Sequence, residues 1–316
     1  MMIVLWVIAL LLGVGAIVWG AETFAEHLGD AAVALGVSSF ALALLLAGAE
    51  PEELVTAVVA SLRHSPGIAL GDVIGANVTI CLVALGVGAW VAPMAFSGMT
   101  FLYAGLGVPL GIVAAWFAWY GKITRLEGAL LVALYAGYVI LIWVVERQPP
   151  ALGEVEELAE AEERRTPRKL GIRHLVLTVL GVAVMAAGAT LLVEAVRRIS
   201  SQEAQQTRLG LTLVGFATGF ELVVLAWSAA RRGRSEAVVG GVIGSFAYNL
   251  TMTLGSAAIV HPLKLQRATQ LHFPLLAMIG SLVIVILFAA PAKRLSRIHG
   301  LALIAFYGVF VYVALR

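Results

Sequence analysis

The sequence predicts an all-α membrane protein of ten transmembrane helices, arranged as two inverted five-helix repeats, with the second helix of each repeat broken at the midplane. Three observations lead there. Of 316 residues, 61% are hydrophobic and only 13% charged, against about 25% charged in soluble domains, and mean hydropathy is +0.97. Ten segments are long and apolar enough to span a bilayer, for which a membrane helix needs about 20 residues. The chain also carries an internal repeat. This composition excludes an ordinary soluble domain, a disordered chain and a nucleic-acid binder built on basic patches. A single cysteine, Cys81, cannot close an internal disulfide and reads as a small buried hydrophobe.

In order, the expected spans are 2–21, 31–62, 67–92, 100–120, 127–145, 174–196, 207–230, 236–260, 272–291 and 298–315. The first has no basic residue ahead of its apolar run, so it reads as a span rather than a cleaved signal. The second is long for one helix across a ~30 Å core unless tilted or broken, and it carries Glu50, Pro51, Glu52 and Glu53. The seventh has Glu221 inside it, preceded by Gly210, Gly215 and Gly219. Residues 146–173 form the one substantial loop, acidic and then basic, with a short surface helix expected in its middle. It separates a first unit, 1–145, from a second, 174–316. The loops assigned to the inside hold 12 of the 21 basic residues, which places this loop in the cytoplasm and both termini outside.

The repeat shows in PGIALGDVIGAN (66–77) against SEAVVGGVIGSF (235–246). Each stretch follows a span with a mid-membrane Glu. Glu52 precedes Ala76, and Glu221 precedes Ser245, by the same 24 positions. Both Glu-bearing spans end in a basic turn, Arg63-His64 and Arg231-Arg232-Gly233-Arg234. Five spans per half is odd, so the halves enter the membrane from opposite sides, the arrangement that places a transported ion at the midplane.

A carboxylate held at mid-membrane costs roughly 2.5–3.5 kcal/mol on insertion scales. Facing carboxylates repel, and a divalent cation, a proton or a monovalent ion relieves that repulsion; hard cations such as Ca2+ take several oxygen ligands. The structural alternative is pairing with an Arg or a backbone donor; neither Glu-bearing span has Lys or Arg at that depth, Arg208 lying at the edge of its own.

These segments resemble the cation/calcium antiporters, including the sodium/calcium exchangers. Each repeat of that family carries a G-T-S-x-P-E-L motif followed by G-N-x-x-G-S-N. Here they read GAEPEELVTAVVAS with ALGDVIGAN, and GFATGFELVVLAWSAA with VVGGVIGSFAYN. The resemblance spans the whole chain. It implies a secondary antiporter working by alternating access, in which the first and sixth spans slide across the core, and a divalent cation, Ca2+ first, exchanges against Na+. By the same resemblance Glu53 and Glu221 hold the ion, with Glu52 as competitor to Glu53 and Glu50 as an additional carboxylate. Ser245, Asn249, Thr218, Asn77 and Asp72 supply further oxygens, with helix capping as the other reading of Asp72.

The motif register puts Glu53 on the family's acid. In the second repeat an ungapped register puts Leu222 there, and a one-residue slip restores Glu221. The motif hydroxyls of the first repeat are replaced by Ala49, Glu50 and Ala76, which keeps open a proton-coupled divalent cation exchanger and, in another class, a non-transporting ion-sensing or scaffold membrane protein. No nucleophile–base pair, zinc set or phosphate loop supports an enzyme. No cofactor beyond the transported cations, no nucleic acid and no soluble partner is implied; the partners are inorganic cations and the lipid bilayer. The compact chain suggests a prokaryotic inner membrane.

Overall fold

The structure is a computed structural model describing residues 2–35, 50–146, 168–232 and 235–316. Helix α1 spans Met2–Leu35. After the break, α2 (Pro51–Leu62) and α3 (Pro66–Thr79) form a helical hairpin; α3 continues through a π-helical segment, Ile80–Ala84, into α4 (Leu85–Val91). A short strand β1 (Met94–Ala95), α5 (Gly98–Ala118), strand β2 (Lys122–Ile123) and α6 (Arg125–Glu146) complete the first half.

The second half opens with α7 (Arg168–Ile199) and α8 (Glu203–Leu209). A π-helical Gly210–Val214, α9 (Gly215–Thr218) and α10 (Phe220–Arg232) follow. Then come α11 (Ser235–Tyr248), a π-helical Asn249–Thr253, α12 (Leu254–Val260), β3 (Leu263–Lys264), α13 (Thr269–Ala289), β4 (Arg294–Leu295) and α14 (Arg297–Ala314).

Among the described residues nine helices are long and apolar enough to cross a membrane. The second expected span, 31–62, divides. Its first residues extend α1, its last form α2, and 36–49 lie outside the described residues, as does the middle of the 146–173 loop. The loop is shorter than expected at one end, because α7 already begins at Arg168.

The halves repeat with a constant offset. Helices α2, α3 and α4, the π segment at Ile80 and strand β1 recur as α10, α11, α12, the π segment at Asn249 and β3, with starts 169 positions on. The third span of each half is the core of the molecule: the apolar window of Pro66–Val91 is buried throughout, and that of Val238–Val260 almost so. Such spans read as uniformly apolar because no face meets solvent or lipid.

Strands from opposite halves pair antiparallel, Met94 with Leu295 and Ile123 with Leu263, so each two-stranded clasp joins one repeat to the other. The long helices α1 and α7 pack on each other along most of their length. Gly13 meets Gly188 and Gly20 meets Gly181; a Cβ at Gly13 would stand 2.8 Å from the Gly188 carbonyl oxygen, and one at Gly20 2.7 Å from that of Gly181. Only a residue without a side chain lets two backbones approach so closely. At the far end of α7, Arg198 Nε donates to Glu194 Oε1 at 2.7 Å.

Candidate ion-binding site

The breaks in the Glu-bearing spans set the site. Glu50 sits outside helical geometry (φ −115°, ψ 89°) with Pro51 starting α2 behind it. Proline at the first helical position gives up no hydrogen bond. The backbone carbonyl of Glu50 accepts from the amides of Glu53 and Leu54 at 3.1 Å each. Three carboxylates therefore gather at the N-terminal end of α2, where the helix dipole favours negative charge. In the other half the helix breaks at Gly219, between α9 and α10, and Glu221 is the second residue after the break.

The expected site residues come together. Glu50, Glu52, Glu53, Asp72, Asn77, Thr218, Ser245 and Asn249 are all buried, Glu53, Asp72, Asn77, Ser245 and Asn249 completely. Glu221 is half-buried and interacts electrostatically with Glu50, Glu52 and Glu53, while Glu53 interacts also with Asp72. No Lys or Arg among the described residues pairs with Glu50, Glu52, Glu53 or Asp72.

The surviving hydroxyls are committed to carboxylates. Ser245 Oγ donates to Glu50 Oε1 at 2.5 Å, and Thr218 Oγ1 to Asp72 Oδ1 at 2.9 Å. Asp72 lies in the interior of α3, so it caps no helix. It reaches Thr218 because α3 crosses the seventh span on bare backbone: a Cβ at Gly71 would stand 2.8 Å from Leu211 N, and one at Gly215 2.5 Å from Ala76 N. Asn249 Nδ2 donates to Asn77 Oδ1 at 3.3 Å, a link between the two core spans. Glu50 and Glu52 lie close enough to interact electrostatically.

Several buried oxygens close no hydrogen bond: Glu52 Oε1, both oxygens of Glu53, Asp72 Oδ2 and Thr56 Oγ1. Asn249 faces Glu53 without closing one. Buried polar atoms are normally satisfied, so this oxygen-rich set fits a hard cation. As they stand, no three His, Cys, Asp or Glu side chains among the described residues enclose a metal position; the oxygens must converge to do so. A narrow crevice with no room for a water molecule reaches Glu52 and Thr218 between Val14, Ile17 and Val18 of α1 and Leu192 of α7.

Thr56 escaped the sequence reading. Its spacing, one helical turn beyond Glu52 and Glu53, is the signal that points to it. The register also bears on the two acids. The constant offset places Glu221 opposite Glu52 rather than Glu53.

A family model described as sodium/calcium exchanger protein matches residues 5–144 and 173–316. The chain is 25% identical over 309 residues to the putative antiporter CaxA of Alkalimonas amylolytica, covering 95% of this chain and 96% of the relative. Among solved structures, the sodium-calcium exchanger NCX_Mj superposes with a TM-score of 0.62 at 23% identity, covering 99% of each chain. The H+/Ca2+ exchanger CAX superposes with a TM-score of 0.73 at 18% identity, covering 96% of this chain and 81% of the other.

Proposed function

The chain belongs to the sodium/calcium exchanger protein family, and from that premise we propose that it exchanges a divalent cation, Ca2+ first, at the carboxylates between its two halves. A member of this family is a multi-pass membrane transporter of cations, not an enzyme. The observation that carries the reading is the pair of unsatisfied Glu53 oxygens, fully buried, in electrostatic contact with Asp72 and Glu221. An incoming divalent cation supplies the charge and coordination these oxygens lack. Glu53 and Glu221, joined by Asp72, Thr56 and Asn249, form the cation position in this reading.

The counter-ion reading that the geometry favours is the proton; sodium is the alternative. Three buried carboxylates crowd one helix start with no described Lys or Arg paired to them, and Ser245 and Thr218, the neutral oxygens sodium would use, already serve Glu50 and Asp72. Consecutive helical residues point about 100° apart, so Glu52 and Glu53 can serve different ions. Access alternates as α1 and α7 shift across the site, with the 146–173 loop in the cytoplasm and both termini outside, in a prokaryotic inner membrane.

The test is calcium uptake into proteoliposomes under an outward sodium gradient or an outward proton gradient. Proton-driven uptake is expected, with Glu53→Gln and Glu221→Gln each lowering it at least ~10-fold. Glu52→Gln should uncouple uptake from the proton gradient while calcium binding persists. If Glu52→Gln abolishes binding and Glu53→Gln does not, Glu52 is the site acid, as the repeat register pairs them. Sodium-driven uptake alone would reverse the counter-ion assignment. No uptake under either gradient, or with other divalent ions, would leave the non-transporting reading.

A further inference from the structure

The basic turn after the second Glu-bearing span has no part in the ion site. Arg231 and Arg232 end α10, both exposed, and neither forms an ion pair with any described residue. Arg231 lies over the Trp227 ring, 4.9 Å from its centroid. Trp227, Ser228, Arg231 and Arg232 line an open groove of about 350 Å³.

An exposed apolar lane leads to that groove. Phe220, Val224 and Trp227 follow the i, i+4, i+7 spacing of one helix face and are 46%, 48% and 43% exposed; Leu225 beside them is 50% exposed. The equivalent positions on α2 are covered: Pro51 and Thr56 are buried, Val55 and Val58 half-buried, because α7 and α12 pack against that helix. From the break at Gly219, the 13 residues of α10 rise about 20 Å at 1.5 Å each. Half a bilayer with its headgroup layer is roughly 20–22 Å. A helix beginning at the midplane therefore delivers Arg231 and Arg232 to the level of lipid phosphates.

We propose that the exposed face of α10 is a docking lane for an anionic phospholipid of the leaflet into which this helix runs. Its acyl chain lies along Phe220, Val224 and Leu225, and its phosphate is held by Arg231 and Arg232, with Trp227 at the boundary. Charge complementarity selects the occupant: two guanidiniums at headgroup depth, in no ion pair with a described residue, attract an acidic headgroup and give no preference to a neutral one. Complementing the helix dipole accounts for basic residues in a last turn, but not for the bare apolar lane that ends there. The inference does not depend on which ions are exchanged.

The full chain in nanodiscs of phosphatidylcholine doped with brominated phosphatidylglycerol, or with brominated phosphatidylcholine, provides the test. Bromine quenches nearby indoles, and the difference between the protein and its Trp227→Phe variant isolates quenching at the lane. Phosphatidylglycerol should quench Trp227 at a several-fold lower mole fraction, roughly fivefold for each arginine near a charged surface. That preference should shrink with added salt, vanish in Arg231→Gln/Arg232→Gln and persist in Arg231→Lys/Arg232→Lys, which also shows that the fold tolerates change there. It should persist in Arg197→Gln/Arg198→Gln, where the removed charges are already paired with Glu194. Equal quenching by both lipids, or a preference that survives Arg231→Gln/Arg232→Gln, would mean an unselective lipid shell and would overturn the proposal.

Discussion

Thr56 is the sharpest case of one side chain held at a cost to the fold. Its hydroxyl is completely buried and closes no hydrogen bond, and an unsatisfied buried polar group costs about 1–3 kcal/mol. Thr56→Val keeps the shape and removes the orphan. Thermal unfolding should therefore begin at a higher temperature in ion-free Thr56→Val, while the stabilisation gained on adding calcium should shrink. An unchanged calcium response would remove Thr56 from the ion site. Ser245 presents the opposite case. Its hydroxyl donates to Glu50 at 2.5 Å, and a hydrogen bond to a charged group is worth roughly 1.5–3 kcal/mol. Ser245→Ala should cut proton-driven uptake ~3- to 10-fold, with Ser245→Thr retaining most of it. Near-normal uptake by Ser245→Ala would place Glu50 outside the exchange.

At the scale of elements, what was legible follows from what leaves a mark on residue types. The breaks expected in the two Glu-bearing spans fall at Glu50-Pro51 and at Gly219 before Glu221, combinations that are poor inside a helix. The π-helical segments at Ile80 and Asn249 were not legible. In a span buried on every side, apolar residues fill all positions, and a change in helical period leaves no pattern to read. The asymmetry of their content was legible only in part: Asn249 stood out, while Thr251 and Thr253 beside it, also completely buried, did not. Close crossing of elements is also hidden from a single sequence, since a glycine does not reveal which backbone it approaches. Gly215 illustrates this. A Cβ there would stand 2.5 Å from Ala76 N and 2.6 Å from the Gly75 carbonyl carbon, both backbone atoms that cannot step aside. Gly215→Ala should destabilise the purified protein by about 1–3 kcal/mol. Gly137→Ala, where a Cβ meets nothing within 4 Å, should stabilise by roughly 0.5–1 kcal/mol. Equal melting temperatures for the two variants would show that the α3 crossing is looser than the geometry requires.

For the whole molecule, the expected odd number of spans per half predicts the inverted repeat, because five crossings reverse the direction of the chain, and the described residues show the repeat as a constant offset of elements. The clasps that tie the halves together were not legible, since strands of two residues are too short to show alternation. Yet they bear on how the protein moves. Met94 pairs with Leu295, and Ile123 with Leu263, so each repeat is fastened to the other through two separate loops. The long helices α1 and α7 instead share their glycine seam with each other. In the proposed alternating access, this arrangement gives a clasped frame carrying the carboxylates and a helix pair that shifts across it. Directly opposed residues of an antiparallel pair have Cα atoms about 4.5–5.5 Å apart, within the span a disulfide bridges. Met94→Cys with Leu295→Cys, and Ile123→Cys with Leu263→Cys, should therefore oxidise readily. If the clasps belong to the static frame, ion exchange by the oxidised protein should stay within ~2-fold of the reduced protein. Loss of exchange on oxidation, restored by dithiothreitol, would show that the two halves move against each other at the clasps and that the frame is not one body.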